Sequence, residues 1–263
     1  MGKLLVETVS EQDDMELVAA IDVPDNPAIG EDAGKIADVG SLGAKIIGSN
    51  HLSATLEETK PDALIDFTVA ESAVENVKIA ARAGIPVVVG TTGFTEEQMS
   101  EMAKAIKEGN IPAVISPNMS VGVNVFFKLA GEAGSLLKNH NVEMVETHHT
   151  KKKDAPSGTA LKAAKIVAEA SGRDFEKVKQ FGEPSGELSE RESDKFWIKS
   201  IRQGDVVGDH TLAFGDESER IELTHSARSR KTFALGTMRA VRHVVQNGVP
   251  GIIQDMQDVL GLR

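Results

Sequence analysis

Cysteine is absent from this chain of 263 residues, and with it go disulfides, thiol catalysis and iron–sulfur ligation. No apolar run is long enough to span a bilayer, and no leader pattern of charged then apolar residues opens the sequence. Basic residues are few: 29 Lys and Arg against 40 Asp and Glu leave a net charge of −11, which repels phosphate backbones. Aromatic residues make up only 4%, and outside one short lysine cluster there is no basic stripe for them to interleave. These absences exclude nucleic-acid and membrane partners and predict a soluble cytoplasmic protein. Met1-Gly2 resembles the opening of a myristoylation signal, but Val6 stands where serine or threonine is needed, so no lipid anchor is expected. What is present, 40% hydrophobic residues over this length, suffices for two modest domains with their own cores.

The densest chemistry lies at 146–160, Glu-Thr-His-His-Thr-Lys-Lys-Lys-Asp-Ala-Pro-Ser-Gly-Thr-Ala. Alternation predicts a strand over 142–149, then a loop over 150–156, then a helix opening at Ser157-Gly158-Thr159. Pro156 ends the loop and Ser157 can cap. The first N–H groups of a helix have no helical partner and the dipole is positive there, so this start predicts a site for a carboxylate or phosphate. His148 and His149 are neighbours on a strand and point to opposite faces, which disfavours their sharing a metal ion. With no cysteine and no H-E-x-x-H helix, no metal is expected. Acid–base chemistry suits the pair better, with Lys151, Lys152 and Lys153 attracting an anionic substrate. The alternative is a solvated basic loop beside two structural histidines.

In the first half, four short apolar runs at 17–21, 63–67, 85–89 and 111–115 read as buried parallel strands. Helices are predicted over 71–83 and 96–107, the second opening with Thr95 and Gln98 in capping-box spacing. Such βαβ alternation binds ligands beyond the carboxyl ends of its strands. The residues there are Asp22, Asp66-Phe67-Thr68, Gly90-Thr91-Thr92-Gly93 and Ser116-Pro117-Asn118. Asp22 is placed to accept hydrogen bonds from a ribose or simply to open a turn. Gly-Thr-Thr-Gly offers close backbone approach to a nucleotide or forms an ordinary loop before a helix cap. A dinucleotide fold normally begins with a buried strand and a glycine-rich turn. Here 2–9 already reads as a helix, so the expectation is that the start was assigned at an internal methionine.

With His148-His149-x-x-Lys152-x-Asp154-Ala155-Pro156-Ser157-Gly158-Thr159-Ala160, the chain resembles the 4-hydroxy-tetrahydrodipicolinate reductases, also called dihydrodipicolinate reductases, of the diaminopimelate route to lysine. Further similar stretches are Ile65-Asp66-Phe67-Thr68, Gly90-Thr91-Thr92-Gly93, Asn118-Met119-Ser120-Val121-Gly122-Val123-Asn124, Arg202-x-Gly204-Asp205-x-Val207-Gly208-x-His210, and Thr224-His225 through Arg230-x-Thr232-Phe233-Ala234. The resemblance implies reduction of a cyclic imine dicarboxylate by NADH or NADPH. It assigns His148 as the acid–base residue and Lys152 as proton donor, with His149, Ser157, Gly158 and Thr159 holding the substrate. Expected cofactor contacts are Met1, Asp22, Phe67, Gly90, Thr91, Thr92, Ser116, Pro117, Asn118 and Met119. Phe67 is either the residue beside the nicotinamide or a core aromatic at a strand end. A carboxylate at Asp22, with Val23 supplying no guanidinium, predicts that NADH is used at least as well as NADPH.

The expected fold class is α/β: a Rossmann-like doubly wound parallel sheet over 1–120 and 230–263, lacking its first strand and glycine loop as written, plus an α+β domain over 121–229 with an open mixed sheet. In the second domain a helix should run to 138, with strands over 196–202, 206–214 and 220–226; a further helix covers 232–246, and 180–191 reads as a surface loop. By resemblance this domain binds substrate and joins subunits into a homotetramer. A second functional reading, a non-catalytic dicarboxylate-binding or assembly module without a nucleotide site, stays open at this level.

Overall fold

The structure, a computed structural model, describes residues 1–182 and 195–263. It divides into two compact units, Met1–Val121 with Lys231–Arg263, and Gly122–Arg230. Up to the end of the first contiguous stretch the elements are α1 (Gly2–Ser10), β1 (Ala20–Asp22), α2 (Ala33–Ile36), β2 (Ile46–Gly48), α3 (Leu52–Thr59), β3 (Leu64–Asp66), α4 (Ala70–Ala83), β4 (Val87–Val89), α5 (Glu96–Gly109) and β5 (Ala113–Ile115). The second unit carries α6 (Val121–Leu136), β6 (Asn141–His148), α7 (Gly158–Ala170), α8 (Phe175–Val178), β7 (Lys179–Phe181), β8 (Phe196–Arg202), β9 (Gly208–Gly215) and β10 (Arg220–Ala227). The chain then returns to the first unit as α9 (Lys231–Gln246), β11 (Ile253–Gln254) and α10 (Met256–Val259).

In the first unit a parallel sheet of order β11-β5-β4-β3 lies between two layers of helix. The alternation of β4 shows why its strands are apolar throughout. Val87 and Val89 pack with Leu52, Val74, Val77 and Ile106 from α3, α4 and α5, while Val88 turns the other way into a cluster with Val114, Met119, Ala240 and Val244. Each predicted strand is shorter than its apolar run. The run at 17–21 pairs only from Ala20, and Leu17 instead packs beside α1 and α9 with Leu5, Val9, Ala234 and Met238. The Thr95 capping box is present, with Gln98 reaching back to the Thr95 N–H.

Sequence reading missed β2, β11 and the short α2 and α3, because two- and three-residue strands carry no periodicity to detect. β1 pairs with β2 in a ladder of its own, apart from the four-stranded sheet. The expected row of four strand ends is therefore corrected: the ends of β3, β4 and β5 are neighbours, and Asp22 ends a separate ladder.

The second unit is a mixed sheet of order β10-β9-β6-β8-β7, parallel at β6/β8 and β7/β8 and antiparallel elsewhere. Helices α6 and α7 cover one face, burying Phe126, Phe127, Ala163 and Val167 against Val142, Met144, Phe196, Ile198, Leu212 and Phe214. α6 ends at Leu136, two residues before the expected 138. The strand expected from 206 begins at Gly208, after a turn at Gly204 with φ +50°. The segment expected as a loop over 180–191 begins inside β7, since Gln180 and Phe181 pair with Trp197 and Ile198. The rest of that expectation, 183–191, lies outside the described residues. No described helix is long and apolar enough to cross a membrane.

Candidate active site

Residues two apart on β6 face the same way, so the strand presents Val142, Met144, Glu146 and His148 to the helix-covered face. Register extends each into a rung across the sheet. Val142 aligns with Phe196 and Phe214, and Met144 with Ile198 and Leu212, which makes two apolar rungs. The next rung is Glu146 with Ser200, His210 and, beyond it, His225; the last pairs His148 with Arg202. Polar groups thus begin where the apolar core stops, at the carboxyl end of β6.

Glu146 is fully buried, so its carboxylate must be paired. Oε2 accepts from His148 Nδ1, while Oε1 accepts from Arg202 Nη2 at 2.9 Å and from the Ser157 N–H at 3.3 Å. Burial by itself would raise the Glu146 pKa, but hydrogen bonds from His148, Arg202 and Ser200 outweigh it and bring the value down to about 2. The carboxylate is ionised at neutral pH. His210 moves in the neutral direction: burial, helped by His148 and His225, lowers its pKa to about 3. Its ring stands edge-on to His148, with centroids 5.1 Å apart, and its Nε2 lies 3.2 Å from Ser157 Oγ.

Ser157 caps α7 as expected, its Oγ accepting from the Ala160 N–H. The anion site expected at this helix start is narrowed, because the Ser157 N–H is given to Glu146 and the Ala160 N–H to Ser157 Oγ. Gly158 is exposed, with open space where a Cβ would stand, so ligand access to the first turn lies there; Thr159 is half-buried beside it. Lys152 pairs with Asp154 at 2.8 Å, whereas Lys151 and Lys153 are exposed, which separates one lysine from its neighbours on geometry. His149 lies just past the end of β6, half-buried, with its N–H on the Val206 carbonyl. Sequence reading quoted Glu146, Arg202, Gly208 and His210 without roles. The signal for the first was the Glu-x-His spacing on a strand; the others come from distant strands.

In the first unit, buried Asp66 organises the strand ends. It accepts from Thr68 N, Thr68 Oγ1 and Thr91 Oγ1 through one oxygen and from Asn76 Nδ2 through the other. Its charge is spent on loop backbone and side chains, and so is the Thr91 hydroxyl. A Cβ on Gly90 would fall 2.2 Å from the Phe67 ring, so the half-buried ring lies against the Gly90 backbone, and it also packs with the cores on α9 and α10. Thr92 is exposed, and Gly93 (φ +85°) has nothing near its Cβ position, leaving open backbone that suits close approach of a dinucleotide. Ser116 is buried and donates to the Asn118 carbonyl; the Asn118 side chain accepts from Ser120 N, and Pro117 is exposed. The Met119 side chain is core, so contact with a ligand there would fall to its backbone. Asp22 is exposed and accepts from Val23 N at 2.7 Å, the turn geometry that was the plainer of its two readings. Met1 precedes α1, its carbonyl accepting from Leu5 N.

Two family models cover nearly the whole chain: "Dihydrodipicolinate reductase, N-terminus" matches residues 1–119 and "Dihydrodipicolinate reductase, C-terminus" matches 122–260. A 4-hydroxy-tetrahydrodipicolinate reductase of Methanobrevibacter smithii is 47% identical over all of this chain and 96% of its own length, and one of Methanothermobacter thermautotrophicus is 46% identical over the same shares. Among solved structures, a dipicolinate-bound dihydrodipicolinate reductase from Paenisporosarcina sp. TG-14 superposes with a TM-score of 0.77 at 26% identity, covering 98% of this chain and 94% of that one.

Proposed function

The chain belongs to the dihydrodipicolinate reductase family, and on that premise we propose how its own residues carry the reaction. It is an oxidoreductase that uses a pyridine nucleotide to reduce 4-hydroxy-tetrahydrodipicolinate to tetrahydrodipicolinate, a reading favoured over a non-catalytic module by relatives of that name along the full chain. The observation that carries the residue assignment is the buried Glu146–His148 pair standing beside the cap of α7.

In this proposal the second unit holds the dicarboxylate. One carboxylate meets the first turn of α7 at Gly158, with Thr159, Ser157 and His149 alongside, where the helix dipole favours an anion. The 4-hydroxyl leaves as water, and His148, together with Lys152 once released from Asp154, delivers the proton that neutralises the ring as the hydride arrives. The first unit holds the nucleotide along the turns after β4 and β5, at Gly90, Thr91, Thr92 and 116–119, with Phe67 beside the nicotinamide and Met1 and Asp22 toward the remainder. When bound, the reduced nicotinamide supplies the hydride. The chain's part is to neutralise the negative charge that then develops on the conjugated ring.

An exposed carboxylate at Asp22 binds a ribose diol and repels a 2′-phosphate, and Val23 offers no compensating cation. Steady-state reduction of the dicarboxylate should therefore run with NADH at a specificity constant no lower than with NADPH. A clear preference for NADPH would remove the Asp22 argument, and absence of turnover with either would remove the assignment.

Assembly into a homotetramer belongs to the same proposal. The sheet face away from α6 and α7 carries Val145, Trp197 and Thr211, with Ile201 45% exposed, and a second copy could cover it. Light scattering should give the mass of four chains; a monomer at micromolar concentration would contradict it.

A further inference from the structure

Resting on the reductase reading above, we propose that Glu146 is a positioning residue: it holds the His148 ring in the one tautomer that leaves Nε2 free to exchange a proton with substrate. An ionised carboxylate has no proton to give, so the contact between Glu146 Oε2 and His148 Nδ1 requires the hydrogen on Nδ1. The neutral ring then carries its lone pair on Nε2, and a proton gained there is the one it can deliver. Nε2 lies beside Gly208, where a Cβ would come within 2.9 Å of it. Absence of a side chain at Gly208 keeps that nitrogen unobstructed.

The second carboxylate oxygen completes the device. Arg202 and the Ser157 N–H both donate to Oε1, so the carboxylate cannot turn away from His148 without abandoning two hydrogen bonds, one of them buried. Arg202 is itself tied down by donating to the Ile201 and Asp154 carbonyls. Glu146 therefore links the proton-exchanging ring, two residues along the same strand, to the cap of the helix that holds the substrate carboxylate. The charged and titratable groups around His148 are Glu146 on its own strand, Arg202 aligned with it on β8, and His210 on β9 with His225 behind it on β10, while Lys152 pairs with Asp154 in the loop that follows β6. Of these, Glu146 and Asp154 are the anions, and only Glu146 touches the ring. It is the anion in contact with the ring.

Glu146→Gln keeps the shape and one acceptor oxygen while removing the charge, and its amide N–H facing Nδ1 would select the opposite tautomer. The expected result is a kcat about 10²-fold lower with the KM for the dicarboxylate within about threefold. In the His148→Gln background the same change should cost nothing further, since its effect passes through that ring. Nitrogen-15 NMR of the imidazoles in the unaltered protein gives a reading that no variant's folding can spoil: the His148 ring should be protonated at Nδ1 and bare at Nε2. An Nε2–H tautomer there, a kcat within threefold of the parent, or an equal loss in the His148→Gln background would each overturn the proposal. Should His148→Gln turn over like the unaltered enzyme, the reductase assignment of His148 fails instead, and the tautomer measurement still judges the Glu146 contact separately.

Discussion

Replacing His148 by Gln is expected to lower kcat by about 10²- to 10⁴-fold, the range supplied by a positioned general acid. The substitution isolates chemistry from folding. His148 is buried at the end of β6, and the carboxylate it touches is fully enclosed, so a side chain unable to donate would leave a buried charge short of a partner. A Gln amide can donate to Glu146 Oε2, while Arg202 and Ser157 N–H continue to satisfy Oε1, so the fold should survive. What is lost is a ring nitrogen that can give and take a proton, because an amide does neither. Binding of the dicarboxylate at the α7 cap does not depend on the imidazole, so KM should change far less than kcat. Rapid-mixing measurement of the reduction step on protein with an unaltered melting profile checks this. A kcat within tenfold of the parent would mean that another group provides the proton.

Gly236→Ala should cost about 3 kcal/mol of stability, near the upper end of ordinary overpacking penalties. Gly236 lies in α9, where alanine would normally be preferred by about 1 kcal/mol. Packing reverses that sign. A Cβ at this position would stand 1.7 Å from the Met119 carbonyl oxygen and 2.8 Å from its carbon, and these are backbone atoms that no rotamer change can move aside. Either α9 withdraws from the sheet, opening the core of Val88, Val114, Met119 and Ala240, or the loop at 116–119 is pushed outward. A fall in Tm of roughly 6–12 °C follows from that energy for a chain of this size. Because 116–119 is also a proposed nucleotide contact, the KM for the reduced nucleotide should rise in the surviving fraction. Gly131→Ala in α6 is the control: its Cβ would meet only the Ile166 methyl at 3.3 Å, a flexible neighbour, and a change within about 1 kcal/mol is expected. Equal behaviour of the two variants would show that the α9 contact is looser than its geometry.

The parts legible in the sequence were those written in short-range pattern. The capping box at Thr95, the cap at Ser157, the strand carrying His148 and the buried character of β4 and β5 each need only a few consecutive residues. The limits were equally specific. β2 and β11 are too short to show a period, and Leu17 has the polarity of a strand residue but packs between helices. In the site, Arg202 meets Glu146 from 56 residues away and His210 meets Ser157 from 53, and no local signal joins them. The lysine cluster drew attention to positive charge around His148, when the group in contact with its ring is a carboxylate.

Sequence alone determined the class of fold, the strand–loop–helix that carries the histidines and the identity of the family, because these depend on side-chain polarity and on runs of residues that stay together in any conformation. Tertiary structure alone decided which nitrogen of His148 is held, that the Ser157 N–H is given to Glu146, and that Glu146 is ionised while His210 is neutral. Those outcomes depend on distance and on exclusion of water, and both arise only when β6 is flanked by β8 and β9 and covered by α7.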